Sequence, residues 1–273
     1  MEVVYDILRV YCERTCKPLA KPVVVCCVPG FGKTTVIRTI ITRVHCNVVN
    51  GAGVHSDRSK AITYARGVNR EVELNILDEF QEYRGDFGVF DVIFGDPEQA
   101  ELVRRQGLPE PHYVGHLSHR FGVTTANLLR SIGYTITAAT SEDTVQFEDP
   151  YVSDSVGQVV IFQTGVARSL SKHSIPYKTV AEVRGLEFDN VSVYVEYPIC
   201  SCELHLLYVA LTRHRTRLLV FQLNANPTTR QSFQEHICSI SGSCCGDCHK
   251  STSITHLTSW WRSISQTALR WFV

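Results

Sequence analysis

The sequence carries no excess charge of either sign: lysine plus arginine and aspartate plus glutamate number 27 each over 273 residues. Bulk charge therefore gives no support for a nucleic-acid partner, and any such binding must use a local basic track. Long apolar runs are also missing. No segment approaches the roughly 20 apolar residues that cross a bilayer, so no transmembrane span is expected. The first ten residues carry Glu2 and Asp6 and lack the apolar stretch of a secretory signal. There is no internal repeat. Cysteine, by contrast, is plentiful at 11 residues. The thiols are scattered through apolar stretches such as Val23 to Val28, which favours a reduced, cytosolic chain over a disulfide scaffold.

What is present is enough apolar residue, 44% of the chain, to bury one large core or two small ones. Val23 to Val28 reads as a buried parallel strand, followed by a Gly-rich turn and a helix over Thr34 to Val44. Val48 and Val49, Glu73 to Leu77 and Val89 to Phe94 read as further strands, the last two ending in acidic residues. Thr124 to Ile132 predicts a helix, Gln158 to Phe162 and Val191 to Val195 strands, Ser201 to Thr212 a helix, and Arg217 to Phe221 a closing strand. This alternation predicts an α/β protein with parallel sheets. The Gly-Leu-Pro-Glu-Pro run at 107–111 places the junction: a first domain over 1–110, a second over 111–225, and an extension over 226–273.

Three turns carry chemistry. Cys27-Val28-Pro29-Gly30-Phe31-Gly32-Lys33-Thr34 lies between the first strand and its helix, as a P-loop should. The loop Pro29 to Thr35 would surround phosphate oxygens at the helix N-terminus, through the backbone N–H groups of Gly30, Phe31, Gly32, Lys33, Thr34 and Thr35. Lys33 would reach the β- and γ-phosphates of ATP, and the Thr34 hydroxyl would bind Mg²⁺. Cys27 stands where the consensus begins with glycine. Asp78 and Glu79 close a later strand; Asp78 suits the Mg²⁺ ion and Glu79 the attacking water, as general base. Gly95-Asp96-Pro97-Glu98-Gln99 closes the next, and the Gln99 amide could contact the γ-phosphate.

Together these turns resemble the superfamily 1 helicases of positive-strand RNA viruses. Ser118-His119-Arg120 is similar to the family's motif with an arginine near the γ-phosphate. The run from Thr179 to Asp189 is similar to T-x-x-x-x-Q-G-x-x-F, with Arg184 in place of the usual glutamine. Tyr208-Val209-Ala210-Leu211-Thr212-Arg213-His214 is similar to V-A-x-T-R. The resemblance implies two RecA-like P-loop NTPase domains with ATP between them, Arg213 as the finger that completes the site, and Arg120 as a second contact. It also implies that Thr179 and Arg184 face RNA. The dense run Arg213, Arg215 and Arg217 belongs with this motif, whereas Arg104 and Arg105 read as solvated charge.

The start of the chain just before the P-loop is similar to the first movement proteins of the plant-virus triple gene block, in their potexvirus-like branch. That resemblance implies RNA-helicase activity, single-stranded viral RNA as ligand, and transport of viral genomes through plasmodesmata from the host cytoplasm. Implied partners are other viral movement proteins, coat protein and host silencing factors, together with self-association. Two other readings stand beside it: an RNA- or host-protein-binding escort and silencing suppressor with incidental ATPase activity, and a replicase-type helicase fragment.

The extension is Cys- and Trp-rich. Cys245-x-x-Cys248 has half of a zinc knuckle's spacing, with His236, Cys238, Cys244 and His249 nearby, and unliganded thiols are the favoured reading over zinc. Ile254, Leu257, Trp261, Ile264 and Ala268 recur at helical spacing, which suits a helix packed on the second domain, or a partner- or membrane-facing one.

Overall fold

The computed structural model describes residues 1–53, 62–140, 142–196, 199 and 203–223. The cysteine cluster and helical stripe of the extension lie outside them. The chain opens with α1 (Glu2–Tyr11), whose Val4, Ile7 and Leu8 are buried at helical spacing. β1 (Glu13–Arg14) follows, then β2 (Val23–Cys27), buried at every position. Such a fully apolar, β-branched run suits a strand covered on both faces. α2 (Lys33–Ile41) buries Val36, Ile37 and Ile40 and leads to β3 (Cys46–Asn50). β4 (Leu74–Asp78) and β5 (Val92–Gly95) are buried throughout. A short α3 (Leu102–Arg105) precedes β6 (Tyr113–Gly115).

These strands form one sheet in the order β1-β6-β2-β5-β4-β3. Only β1 runs antiparallel. Ligands of such sheets bind beyond the strands' carboxyl ends, which is where the P-loop, Asp78-Glu79 and Asp96 all emerge. The sheet continues past the expected junction at 110, because Tyr113, Val114 and Gly115 pair with Val25, Cys26 and Cys27.

β7 (Leu117–Gly122), α4 (Val123–Ser131) and β8 (Thr137–Thr140) come next, β7 and β8 forming a small parallel pair. β9 (Thr144–Glu148), β10 (Gln158–Ile161), α5 (Thr164–Lys172), β11 (Lys178–Thr179), α6 (Val180–Val183), β12 (Phe188–Glu196), α7 (Leu204–Leu211) and β13 (His214–Leu223) complete the second unit. Its sheet is parallel throughout, in the order β11-β10-β12-β13-β9. One apolar cluster joins the two units, running from Leu8, Val25 and Ile37 through Phe121 and Leu128 to Tyr208 and Val220.

Asp143, just before β9, caps α4 from a distance. Its carboxylate accepts the N–H groups of Thr124 and Thr125 at 2.9 and 3.1 Å. Thr125 in turn bonds the buried ring of His214 at 2.9 Å. Burial works to raise the Asp143 carboxyl, but hydrogen bonds from His214, Thr125 and Thr124 hold it at about 2, below its ordinary 3.8. A depressed folded-state value means stability that is fully present above the unfolded value and lost as pH falls toward 2. Asp143→Asn is therefore expected to cost about 2 kcal/mol at pH 7. Urea unfolding should show that difference shrinking by roughly half at pH 3; a difference unchanged with pH would contradict this role.

Candidate active site

The P-loop turns because Gly30 and Gly32 adopt φ of 77° and 97°, a region where a side chain is strained. Gly30 is also pressed against the second half of the chain: a Cβ there would lie 2.5 Å from that of Arg120. The His119 N–H donates to the Gly30 carbonyl at 2.8 Å, fixing β7 against the loop. Gly32 caps α2 without any side-chain cap. The first N–H groups of a helix lack acceptors within it, so this end is open to an anion. Cys27 departs from the P-loop consensus without distorting the turn. It is the last residue of β2, and its side chain enters the apolar cluster beside Cys12. Burial and that neighbour push its thiol well up, so it stays protonated.

Lys33 begins α2. Burial would lower its pKa, but Glu79, Asp96 and Asp78 outweigh it and hold the ammonium's value up. Asp78 is buried, and its Oδ2 accepts the Tyr64 hydroxyl at 2.8 Å while its Oδ1 accepts the Glu79 N–H at 3.0 Å. Burial first, then the charge of Glu79, raises its pKa to about 6. Glu79 has φ of 56°, a left-handed conformation uncommon for a residue with a side chain. The buried Gln81 amide fixes it, donating to Glu79 Oε2 at 2.5 Å and accepting the Asp96 N–H at 3.1 Å.

Gln99, expected at the γ-phosphate, turns its amide inward and donates to Asp96 Oδ2 at 3.0 Å. The same oxygen accepts the Tyr208 hydroxyl at 3.2 Å, so α7 of the second unit is tied to the end of β5. Arg213 follows α7 and is buried. Its Nε donates to the Val209 carbonyl at 3.0 Å and its Nη2 to Thr212 Oγ1 at 3.1 Å. Burial, and next the charge of Arg120, push its pKa down, while Glu79 pulls it back up. Arg120 donates from Nε and Nη2 to Glu187 Oε1 at 2.9 and 2.5 Å, and from Nη1 to the Thr212 carbonyl at 3.0 Å.

The residues expected to face RNA are placed differently from one another. Thr179 caps α6 in a reciprocal capping box with Glu182. Arg184 reaches across to Glu82 and to the Gln99 carbonyl, on the first unit. Arg104 and Arg105 are not solvated charges, as the sequence suggested. Arg104 donates to the carbonyls of Gln81 and Tyr83, and Arg105 pairs with Glu98 at 2.6 Å. Both brace the acidic turns from behind.

The donor set fits a magnesium nucleotide: an uncapped helix end for phosphate, Lys33 beside it, and hard oxygen ligands at Thr34 and Asp78. Among the described residues, no group of three or more His, Cys, Asp or Glu side chains could hold a metal by itself.

The sequence pattern of the viral superfamily 1 RNA helicase core domain matches residues 23–222. The chain belongs to this family. It is 35% identical over 230 residues to the movement and silencing protein TGBp1 of Apple stem pitting virus, covering 81% of this chain and 99% of that one. It is 34% identical to the protein of the same name from Chrysanthemum virus B, covering 79% and 94%. Among solved structures, an arterivirus nonstructural protein 10 helicase aligns over 86% of this chain and 65% of its own, with TM-score 0.52 and 15% identity. Pif1 of Bacteroides sp. aligns over 98% and 97%, with TM-score 0.51 and 14% identity. These two share the fold. Lys33 feels the charges of Glu79, Asp96 and Asp78, and Arg213 those of Arg120, Glu79 and Glu187, so these groups of the two units lie near one another. Gln81 bonds Glu79, Tyr208 bonds Asp96 and Glu187 bonds Arg120.

Proposed function

We propose that the chain is an ATP-driven RNA motor, and that it serves movement of viral RNA from cell to cell and suppression of host silencing. The observation that carries this reading is the pair of guanidiniums, Arg120 and Arg213, neighbours through the Thr212 carbonyl that Arg120 bonds, with Glu79 near enough to act on the charge of both Arg213 and Lys33. Arg213 is buried, and Arg120 beside it is partly buried and shares one carboxylate, Glu187, with Arg215, so the pair keeps positive charge that a transferring phosphoryl group would meet.

Bound ATP with Mg²⁺ would bring the phosphoryl group. Lys33 and the loop's N–H groups would bind phosphate oxygens, and Thr34 and Asp78 would hold the ion. Glu79 orients a water and takes its proton at a carboxylate oxygen, with Gln81 fixing the carboxylate's direction. Arg213 and Arg120 stabilise the charge that grows in the transition state. Tyr208 couples α7 to Asp96, so movement at the nucleotide is passed to the second unit and to single-stranded RNA lying across both. Thr179 is a candidate backbone contact on that path. The names of the relatives, movement and silencing proteins, support the biological role. Part of the same proposal are the host cytoplasm and plasmodesmata as its place, and RNA, coat protein, other movement proteins and host silencing factors as partners. Among the described residues no helix is long and apolar enough to cross a membrane.

Lys33→Ala separates a motor from an escort. In a virus carrying this variant, cell-to-cell spread is expected to stop while RNA binding by the purified protein persists. Normal spread would favour the escort and suppressor reading.

A further inference from the structure

We propose that Glu187 is a positioning residue that holds Arg120 beside Arg213 and turns the free edge of its guanidinium toward the phosphate site. This inference rests on the nucleotide-hydrolysing reading above. Glu187 lies between the turn after α6 and β12, and each of its oxygens takes one guanidinium. Oε1 accepts from Arg120, and Oε2 accepts the Nε and Nη2 of Arg215 at 3.1 and 2.9 Å.

A guanidinium has five N–H donors in a rigid plane. In Arg120, Nε and Nη2 each give one to Glu187, and Nη1 gives one to the Thr212 carbonyl. One N–H remains on each terminal nitrogen, the fork that grips two phosphoryl oxygens. The backbone sets the origin of this side chain, because Gly30 and Arg120 are in direct contact. Nothing in that contact sets the direction of the guanidinium, and repulsion from Arg213 would swing it away. Glu187 supplies the charged part of the opposing pull, beside the neutral Thr212 carbonyl. It does so without cancelling the positive field, since one carboxylate serves two arginines and leaves a net positive charge.

The Arg215 half of this arrangement contributes little to holding the fold together, since 57% of the Arg215 side chain and 31% of the Glu187 side chain are exposed. Arg120 is only 11% exposed, so its bond to Glu187 is the half that matters. The substitution Glu187→Gln keeps the shape and removes the charge. It is expected to lower kcat for ATP about 100-fold, with KM nearly unchanged and a fall in melting temperature too small to account for the lost rate. Glu187→Asp, which keeps the charge on a shorter arm, should recover part of the rate. In an Arg120→Ala background, Glu187→Gln should have no further effect. An equal loss in both backgrounds, or a loss matched by a fall in melting temperature, would overturn the inference.

A second readout needs no turnover. The Arg120 Nε–H signal in a ¹⁵N–¹H spectrum, assigned by its absence in Arg120→Ala, should exchange slowly with water and faster in Glu187→Gln. Unaltered exchange would overturn the positioning role even in a protein that hydrolyses no ATP. Absence of hydrolysis in the unsubstituted protein would count against the proposed function instead.

Discussion

Arg213→Ala is expected to lower ATP hydrolysis by about 10³–10⁵ while changing nucleotide affinity only a few-fold. The side chain is buried, and its hydrogen bonds inside the second unit use only the Val209 carbonyl and Thr212 Oγ1. Neither partner carries a full negative charge. The guanidinium therefore sits in a poorly solvated place next to a second cation, with Glu79 and Glu187 offsetting its charge without hydrogen-bonding it among the described residues, which is costly unless an anion arrives. A group arranged in this way gains most when charge develops opposite it, so its removal falls on kcat rather than on KM. Arg213→Lys distinguishes charge from geometry. A lysine keeps the charge but loses the planar fork, and most of the rate should still be lost. A loss confined to KM would assign Arg213 to ground-state binding.

Glu79→Gln should lower the rate by about 10²–10⁴, the range for loss of a positioned general base, with Mg²⁺-dependent nucleotide binding retained through Asp78 and Thr34. The backbone adds a sharper expectation. A non-glycine residue at φ of 56° carries strain, about 1 kcal/mol or more. Its neighbours hold it there: the Gln81 amide grips its carboxylate, and the Asp78 carboxylate accepts its N–H. Glu79→Gly should therefore relieve strain while abolishing catalysis, giving a protein no less stable than the original and inactive. Thermal unfolding beside steady-state ATP turnover measures both. A Glu79→Gly variant that is destabilised and still active would remove Glu79 from the role of base.

The sequence made the candidate nucleotide-site residues legible because each sits at a short-range signal. The turn to Lys33 follows the buried β2, Asp78 ends the buried β4 and Asp96 follows the buried β5, and strand ends in a parallel sheet point to one edge. Cys27 looked like a departure from the P-loop, and its strand position shows why it is tolerated. The supporting residues had no such signal. Glu187 meets Arg120 across 67 residues and Tyr208 meets Asp96 across 112, so only the folded topology brings them together. Gln99 carried the right motif but faces Asp96, since the turn at Pro97–Gln99 closes on its own cap. Among the elements, α5 was not readable because only Val166 and Leu170 are buried in a polar stretch. β6 was missed because it lies past the prolines that marked the junction.

The proposed motor hydrolyses ATP in response to RNA. The direct test is the ATP turnover of the purified chain, with and without single-stranded RNA, beside Lys33→Ala. The arrangement predicts turnover that rises with RNA and disappears in the variant. Turnover that survives Lys33→Ala, or is absent from the unsubstituted protein under both conditions, would contradict it.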